Sequence, residues 1–317
     1  MLRLFKIESG LIQEIKCPPE DLGSHLTNAG WIDAHEPNED ERALLQHMLR
    51  TELPESDEVE EIEASARCFV DQAGIHVHSL FLAQSEGRHT TVSVACILQK
   101  NCLITIREGD LADFRLLRMR AHRGQVEVQS PQDLLVTLME QKVENHADTL
   151  EDLHRQLEKV SYMVLEDEES ELEDAIGKLA RLEDSNGKIR LCLMDTQRDI
   201  SFLLRHLKTQ SEQSESLREI MRDIETLMSH TTFLFDKINF LMDSTQGFIN
   251  IEQNQIIKIF SIAAVVFLPP TLVASIYGMN FDYMPELKWL LGYPWAIGLM
   301  IISGIAPYWY FKRKGWL

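Results

Sequence analysis

Two stretches near the C-terminus, residues 259–281 and 289–311, contain no charged side chain, and each is 23 residues long. About 20 consecutive apolar residues cross a bilayer core as a helix. Only seven residues, 282–288, separate the two stretches. The pattern predicts a helical hairpin that crosses the lipid bilayer twice, with Tyr277-Gly278-Met279-Asn280-Phe281 at its turn. Whatever the preceding residues form must be attached to that hairpin.

The start of the chain, Met1-Leu-Arg-Leu-Phe-Lys-Ile-Glu, has no long apolar run and no small-residue cleavage site, so it is expected to stay in the cytoplasm. Lys312-Arg313-Lys314 follows the second stretch. Positive residues remain inside, so both termini are expected on the cytoplasmic side and the loop outside. Tyr308-Trp-Tyr-Phe reads as an interfacial aromatic belt. Five scattered cysteines without a C-x-x-C pair read as reduced, buried thiols.

The net charge of −19 is uneven. Residues 1–257 hold 26 basic and 48 acidic side chains, whereas residues 258–317 hold five and two. A body this acidic repels nucleic-acid phosphates and anionic lipid and attracts cations. A solvated surface with no specific ligand accounts for the same charge.

Residues 1–130 alternate between strand and helix patterns, which predicts an α/β domain. Two edge strands, 2–7 and 11–15, are expected to join at Glu8-Ser9-Gly10. Further strands are expected at 75–82, 91–98 and 103–106, with a hairpin turn at Lys100-Asn101. Helices are expected from Asn38 through Leu49 and over 111–119. His76 and His78 alternate on one strand and so share a face. They read as a metal pair or as two histidines on a half-exposed sheet face, and the second is expected.

Beyond Pro131 the strand patterns stop. Leucines and valines recur at steps of three and four from 132 to 166, and a second long helix is expected to reach Lys208, broken at most locally near Ser185-Asn186-Gly187. Between them lies an acidic run, 166–174, with seven acids in nine residues, read as a solvated corner. The apolar stripe restarts at Leu217 and meets no proline until Pro269-Pro270. A helix over 217–276 spans roughly 90 Å. So long a helix is expected to pack against copies of itself.

At about 100° per residue, Asn254, Ile257, Ser261, Ala264, Leu268, Thr271, Ser275 and Gly278 fall within roughly 120° of arc on the first span. Every hydroxyl of that span before Tyr277 lies in this arc. Small and hydroxyl residues also serve ordinary helix packing in membranes. A pore lining is the expectation here. The adjacent prolines free backbone carbonyls and predict a local bend.

The motif Tyr277-Gly-Met-Asn-Phe, then Met284-Pro-Glu-Leu, then a second span closing on Lys312-Arg-Lys-Gly-Trp-Leu, closely resembles the CorA magnesium transport family. The resemblance covers the whole chain, including Trp31-Ile-Asp…Pro37, Ile62-Glu-Ala-Ser-Ala-Arg67 and Gly247-Phe-Ile-Asn-Ile-Glu-Gln-Asn254. It implies a funnel-shaped homopentamer in a bacterial-type inner membrane: an α+β membrane protein with a cytoplasmic α/β domain, a stalk helix and two membrane helices per subunit. It implies Mg²⁺ uptake, with Co²⁺ and often Ni²⁺ as secondary substrates. By position, Gly278, Met279 and Asn280 form the outer ion-binding ring, Asn254, Leu268 and Thr271 face the pore, and Asp223 resembles a ligand of regulatory Mg²⁺ bound between subunits. Ile257 and Leu268 make an aliphatic gate where some relatives carry methionine.

The expected organisation is an α/β domain (1–130), an acidic long-helix region (131–216), a stalk (217–258), a pore-lining span (259–281), an external loop (282–288) whose Asp282 and Glu286 concentrate cations, a second span (289–311) and a basic tail (312–317). A zinc transporter of the same superfamily is the nearest alternative, though such proteins usually depart from Gly-Met-Asn. A membrane-anchored sensor module is the alternative from another class, and it needs neither the polar arc nor Asn280. No nucleophile–base pair or phosphate-binding glycine loop stands out, so catalytic residues are not expected.

Overall fold

In the computed structural model, residues 1–16, 18, 21–49, 67–85, 87–166, 172–207, 211–282 and 284–315 are described. Cys17, most of the 62–67 segment and acids 167–169 and 171 of the acidic run lie outside them. The chain forms two compact units, Met1–Met242 and Asp243–Leu317.

The first unit is built on a seven-stranded sheet. Its strands are β1 (Leu2–Glu8), β2 (Leu11–Ile15), β3 (Trp31–His35), β4 (Cys68–Val70), β5 (Ile75–Ser85), β6 (Arg88–Leu98) and β7 (Leu103–Arg107), in the order β2-β1-β3-β7-β6-β5-β4. Only β3 and β7 are parallel; the other pairs are antiparallel. β2 is an edge strand as expected, but β1 is not, because β3 pairs with its other side. The β1–β2 turn has Ser9 at φ 53 and Gly10 at φ 82. Two successive positive φ angles match the right-handed twist of a tight hairpin.

Helices α1 (Leu22–Leu26) and α2 (Glu39–Leu49) accompany a core of Leu4, Ile32, Ala34, Leu45, Ile97 and Ile104. α2 starts where Asn38 Oδ1 accepts from Glu41 N at 2.8 Å and Glu41 Oε2 accepts from Asn38 N at 3.0 Å. That reciprocal pair satisfies two amides that the helix itself leaves free. A second core holds Trp31, Phe81, Val94, Leu103 and residues of α3 (Ala112–His122), α4 (Pro131–Leu165) and α5 (Leu172–His206). Successive residues of a strand point to opposite faces, so the two cores divide between the two sides of the sheet. α4 begins with Ser130 accepting from Asp133 N at 3.2 Å and with Pro131 in its first turn. α5 runs unbroken through Gly187.

α6 (Ser211–Tyr277) is one helix of 67 residues. Its stripe Leu217, Ile220, Ile224, Leu234, Ile238 and Leu241 is buried in the second core with residues of α4 and α5. Asn186 Nδ2 donates to the Thr231 carbonyl at 2.9 Å. The expectation that this part of the stripe packs on copies of itself is therefore corrected: its partners are within the chain.

His76 and His78 do share a face, but that face is buried, not half-exposed; each is 2% accessible. Phe69 stacks on His76 at 4.4 Å, and His76 Nε2 lies 2.9 Å from Asp71 Oδ1. Burial, with His76 and Arg67 nearby, pushes the His78 pKa down to about 4. Cys68, Cys96, Cys102 and Cys192 are free and buried, and burial pushes the Cys96 and Cys102 thiols up to about 12.

His146 of α4 is fully buried with neither ring nitrogen hydrogen-bonded. Burial, then the Lys142 charge, lowers its pKa to about 3. The unfolded chain gains a proton here near pH 6.5, whereas the folded chain does not until about pH 3. This residue therefore costs stability as pH falls below 6.5, by about 1.4 kcal/mol per unit. His146→Leu removes the penalty. Between pH 7 and pH 5 the variant should gain about 2 kcal/mol relative to the parent. Thermal melts at the two pH values check this, and an unchanged difference contradicts it.

Candidate functional site: the exposed arc of the long helix

Among the described residues, only α6 is both long and apolar enough to cross a membrane, and its most apolar stretch is unburied. After it come a 3₁₀ turn (Pro285–Lys288) and α7 (Gly292–Arg313). α7 lies where a second span is expected, but Tyr293, Pro294, Trp295, Pro307, Tyr308, Trp309 and Tyr310 dilute its apolar character.

Every residue of the polar arc is exposed: Asn254, Ile257, Ser261, Ala264, Leu268, Thr271, Ser275 and Gly278. Leu268 is 65% accessible and Ile257 61%. The half-buried residues of this segment are Ile262, Ala263, Val266, Pro269, Pro270, Val273 and Tyr277. At about 100° per residue, these centre roughly 180° from the arc. α7 packs on that opposite face, where the Gly304 backbone lies against Pro270 and the Val266 carbonyl. Half-buried Met300, Ser303, Gly304 and Pro307, with buried Ala296, form the matching face of α7. The arc is thus the face that the chain's own second helix leaves uncovered.

The expected bend at Pro269-Pro270 does not interrupt α6, which continues as helix to Tyr277. Proline lacks the amide that bonds four residues back, so Pro269 and Pro270 leave the Val265 and Val266 carbonyls without that donor. Gly304 lets α7 come close to the second of them: a Cβ there would sit 3.4 Å from Pro270 Cγ and 3.6 Å from Val266 O. Close approach of small residues replaces the hydrophobic drive that is missing between helices in lipid. Alanine fits at that spacing, but leucine does not. Gly304→Leu should force the helices apart and lower the melting temperature of the solubilised protein by several degrees, with Gly304→Ala near the parent; equal melting of all three would refute this packing.

At the top of α6, Gly278 N donates to Ala274 O at 2.9 Å and Met279 N to Ile276 O at 3.3 Å, closing the last turn. Gly278, Met279 and Asn280 follow one another at the exposed end of the helix. Asp282 is exposed and Glu286 half-buried. Gly292 holds the loop on α7: a Cβ there would lie 2.3 Å from the Glu286 carbonyl oxygen. Thr271 Oγ1 donates to Phe267 O at 2.7 Å, so its oxygen lone pairs stay available toward the arc.

Asp223 lies elsewhere, in the first unit. It is exposed and lines a cavity of about 230 Å³ with Glu140 and Glu144. Burial, then Glu144, Glu219 and Asp223, push the Glu140 carboxyl up, against Arg120. Among the described residues no three His, Cys, Asp or Glu side chains converge into a metal-holding group. Sequence reasoning did not find Glu140 and Glu144. Their i, i+4 spacing was visible, but that α4 brings them beside the Asp223 stretch of α6 was not.

A family model described as "CorA-like Mg2+ transporter protein" matches residues 28–313. The chain is 48% identical, over all of both chains, to the magnesium transport protein CorA of Escherichia coli strain K12 and to that of Salmonella typhimurium strain LT2. In structure it is similar to the complete CorA magnesium transporter of Methanocaldococcus jannaschii, with a TM-score of 0.75 and 20% identity, covering 100% of this chain and 99% of the other. The motif at the end of α6, the match over nearly all residues and the shared fold agree: the chain belongs to the CorA-like Mg²⁺ transporter family.

Proposed function

We propose that this protein conducts Mg²⁺ into the cell through a pore lined by the exposed arc of α6, and that it also passes Co²⁺ and, more weakly, Ni²⁺. One observation carries the reading: the arc that holds the polar residues of the span is the face opposite α7. A mere anchor has no reason to keep hydroxyls on one uncovered face. Five copies around an axis shield the arc from lipid and leave it facing water. The copies form a homopentamer in the inner membrane, with both termini cytoplasmic and residues 259–281 and 289–311 as the two spans of each subunit.

Each residue has a role in this reading. Mg²⁺ gives up water reluctantly and is commonly bound with several waters in place. Rings of Asn280 carboxamides, with Gly278 and Met279 carbonyls, accept hydrogen bonds from those waters at the outer mouth. Asp282 and Glu286 raise the cation concentration there. Ser261, Thr271, Ser275 and Asn254 hydrogen-bond to the passing hydrated ion, and Ala264 leaves room for it. Leu268 and Ile257 close the path by excluding water. The membrane potential supplies about 2.3 kcal/mol per charge per 100 mV, hence about twice that for a divalent ion. The protein is then a transporter and not an enzyme.

Cytoplasmic Mg²⁺ regulates the pore by binding at Asp223 between subunits. The Glu140, Glu144 and Asp223 carboxylates are oxygen donors of the kind Mg²⁺ prefers, and a neighbouring copy completes the site. Loss of the ion leaves like charges facing one another and drives the subunits apart. Asp223→Ala should reduce the protection that Mg²⁺ gives the first unit against protease; unchanged protection removes Asp223 from the site.

The test of the whole reading is Mg²⁺ influx into liposomes at imposed potential, inside negative. Uptake that grows with the potential supports it. Absence of uptake in correctly oriented protein favours the anchored sensor, and Zn²⁺ uptake without Mg²⁺ uptake favours the zinc transporter.

A further inference from the structure

Residues 1–257 carry 48 acids against 26 basic residues, yet the charged side chains that line one cavity of the first unit are all but one basic. It has a volume of about 600 Å³, within the range of small-molecule sites. Arg3 comes from β1, Lys16 follows β2, and Arg118, His122 and Arg123 come from the end of α3; Glu14 is the one acid in the lining. A helix C-terminus favours cations, which accounts for the α3 residues taken alone. It does not account for Arg3 and Lys16, which two strands bring to the same cavity.

Arg118, in the lining, shares its one carboxylate partner with a second guanidinium. Asp33 is fully buried and is shared by two guanidiniums, Arg107 at 3.1 Å and Arg118 at 2.7 Å. One carboxylate neutralises only one of them. Burial, opposed by Asp33 and reinforced by Arg3 and Arg107, lowers the Arg118 pKa, so Arg3 and Arg118 act on one another as like charges. Among the described residues no carboxylate lies within ion-pairing distance of Arg3, Lys16 or Arg123. Gathering like charges around a cavity is unfavourable unless an anion enters it.

The cavity also has an apolar side. Leu11 is 37% exposed and Met119 is 44% exposed, and both line it. Gly124, at φ 65, ends α3 and turns the chain so that its backbone faces Leu11. A thioether and a branched aliphatic chain offer a flat ring a surface to lie on. The acidic body repels an extended polyanion, whereas a small anion can enter a local basic cavity. We propose that this cavity binds a nucleoside polyphosphate, its phosphates among Arg3, Lys16, Arg118 and Arg123 and its base against Leu11 and Met119. Cationic side chains would do here what a glycine-rich loop does in other nucleotide sites. The proposal is independent of the transport reading.

The test is calorimetric titration of the full chain, solubilised and free of divalent ions, with ATP, inorganic tripolyphosphate and adenosine. ATP should bind saturably and weaken as salt rises. Tripolyphosphate should bind at least about tenfold more weakly, and adenosine should give no measurable heat. Lys16→Glu with Arg123→Glu, both exposed, should weaken ATP at least about tenfold without changing the melting temperature. Glu14→Gln should tighten it about threefold, a gain that misfolding cannot imitate. The proposal is overturned if ATP fails to bind, if tripolyphosphate or adenosine binds as tightly, or if neither charge change alters the affinity.

Discussion

Asn280→Ala is expected to lower Mg²⁺ influx by about two orders of magnitude in liposomes held at a fixed inside-negative potential. The physical reason lies in what the carboxamide does for an ion that keeps its waters. Mg²⁺ stripped of its shell would need a full set of replacement oxygens at short distance. Asn280 follows the last turn of α6 and is exposed there. In that position it supplies a neutral acceptor for the protons of bound water. A hydrogen bond to a charged group contributes about 1.5–3 kcal/mol, and each 1.4 kcal/mol is a factor of ten. In the proposed pentamer alanine removes the acceptor from all five copies, so a hundredfold loss is a modest expectation. Asn280→Asp distinguishes the roles: it keeps an acceptor but adds five charges, so it should bind the ion more tightly and slow its release. Influx through Asn280→Ala at the parental rate would eliminate the outer ring.

Leu268→Ser should have the opposite effect. Leu268 is 65% accessible in the single chain and lies near the middle of the arc. A ring of leucines narrows the path and keeps it dry, and a hydrated ion cannot enter a dry constriction. Serine shortens the side chain and offers water a partner. Under high internal Mg²⁺, which in the proposed mechanism closes the parental pore, the variant should show at least about tenfold more influx, since removing three apolar carbons per subunit takes away about 0.8 kcal/mol each. Liposomes preloaded with Mg²⁺ and given a tracer outside provide the measurement. A variant as tightly closed as the parent would place the barrier elsewhere, and Ile257→Ser is then the next position to examine. The two variants together separate ion recognition from gating, because one loses flux when the pore is open and the other gains it when the pore is shut.

Several features follow from residue order alone. Charge-free runs of 23 residues predict membrane helices, since an unpaired backbone amide in hydrocarbon is too costly in any other conformation, and α6 is long and apolar enough to be one. The period of small and hydroxyl residues in residues 254–278 defines one face, because helical geometry is local. The strand patterns from Ile75 to Ile106 reappear in β5, β6 and β7, with the hairpin at Lys100-Asn101 between the last two. The acids of Asn38-Glu-Asp-Glu marked the start of α2, and the folded chain adds the reciprocal Asn38–Glu41 cap there.

Other features required the folded chain. The pairing of β1 with β3 is a contact between distant residues, so β1 read as an edge strand until its second neighbour was known. The depth of His76 and His78 depends on which layer covers β5, and alternation along one strand does not reveal it. The same holds for the apolar stripe of α6: its spacing showed that something covers it, and only packing identified α4 and α5 of the same chain. Glu140 and Glu144 joined Asp223, and Arg3 and Lys16 joined Arg118, through placements that no local pattern encodes. Local periodicity determined which face of the long helix is polar. Tertiary structure decided that α7 covers the opposite face, because a helix surface acquires a partner only when a distant segment folds back onto it.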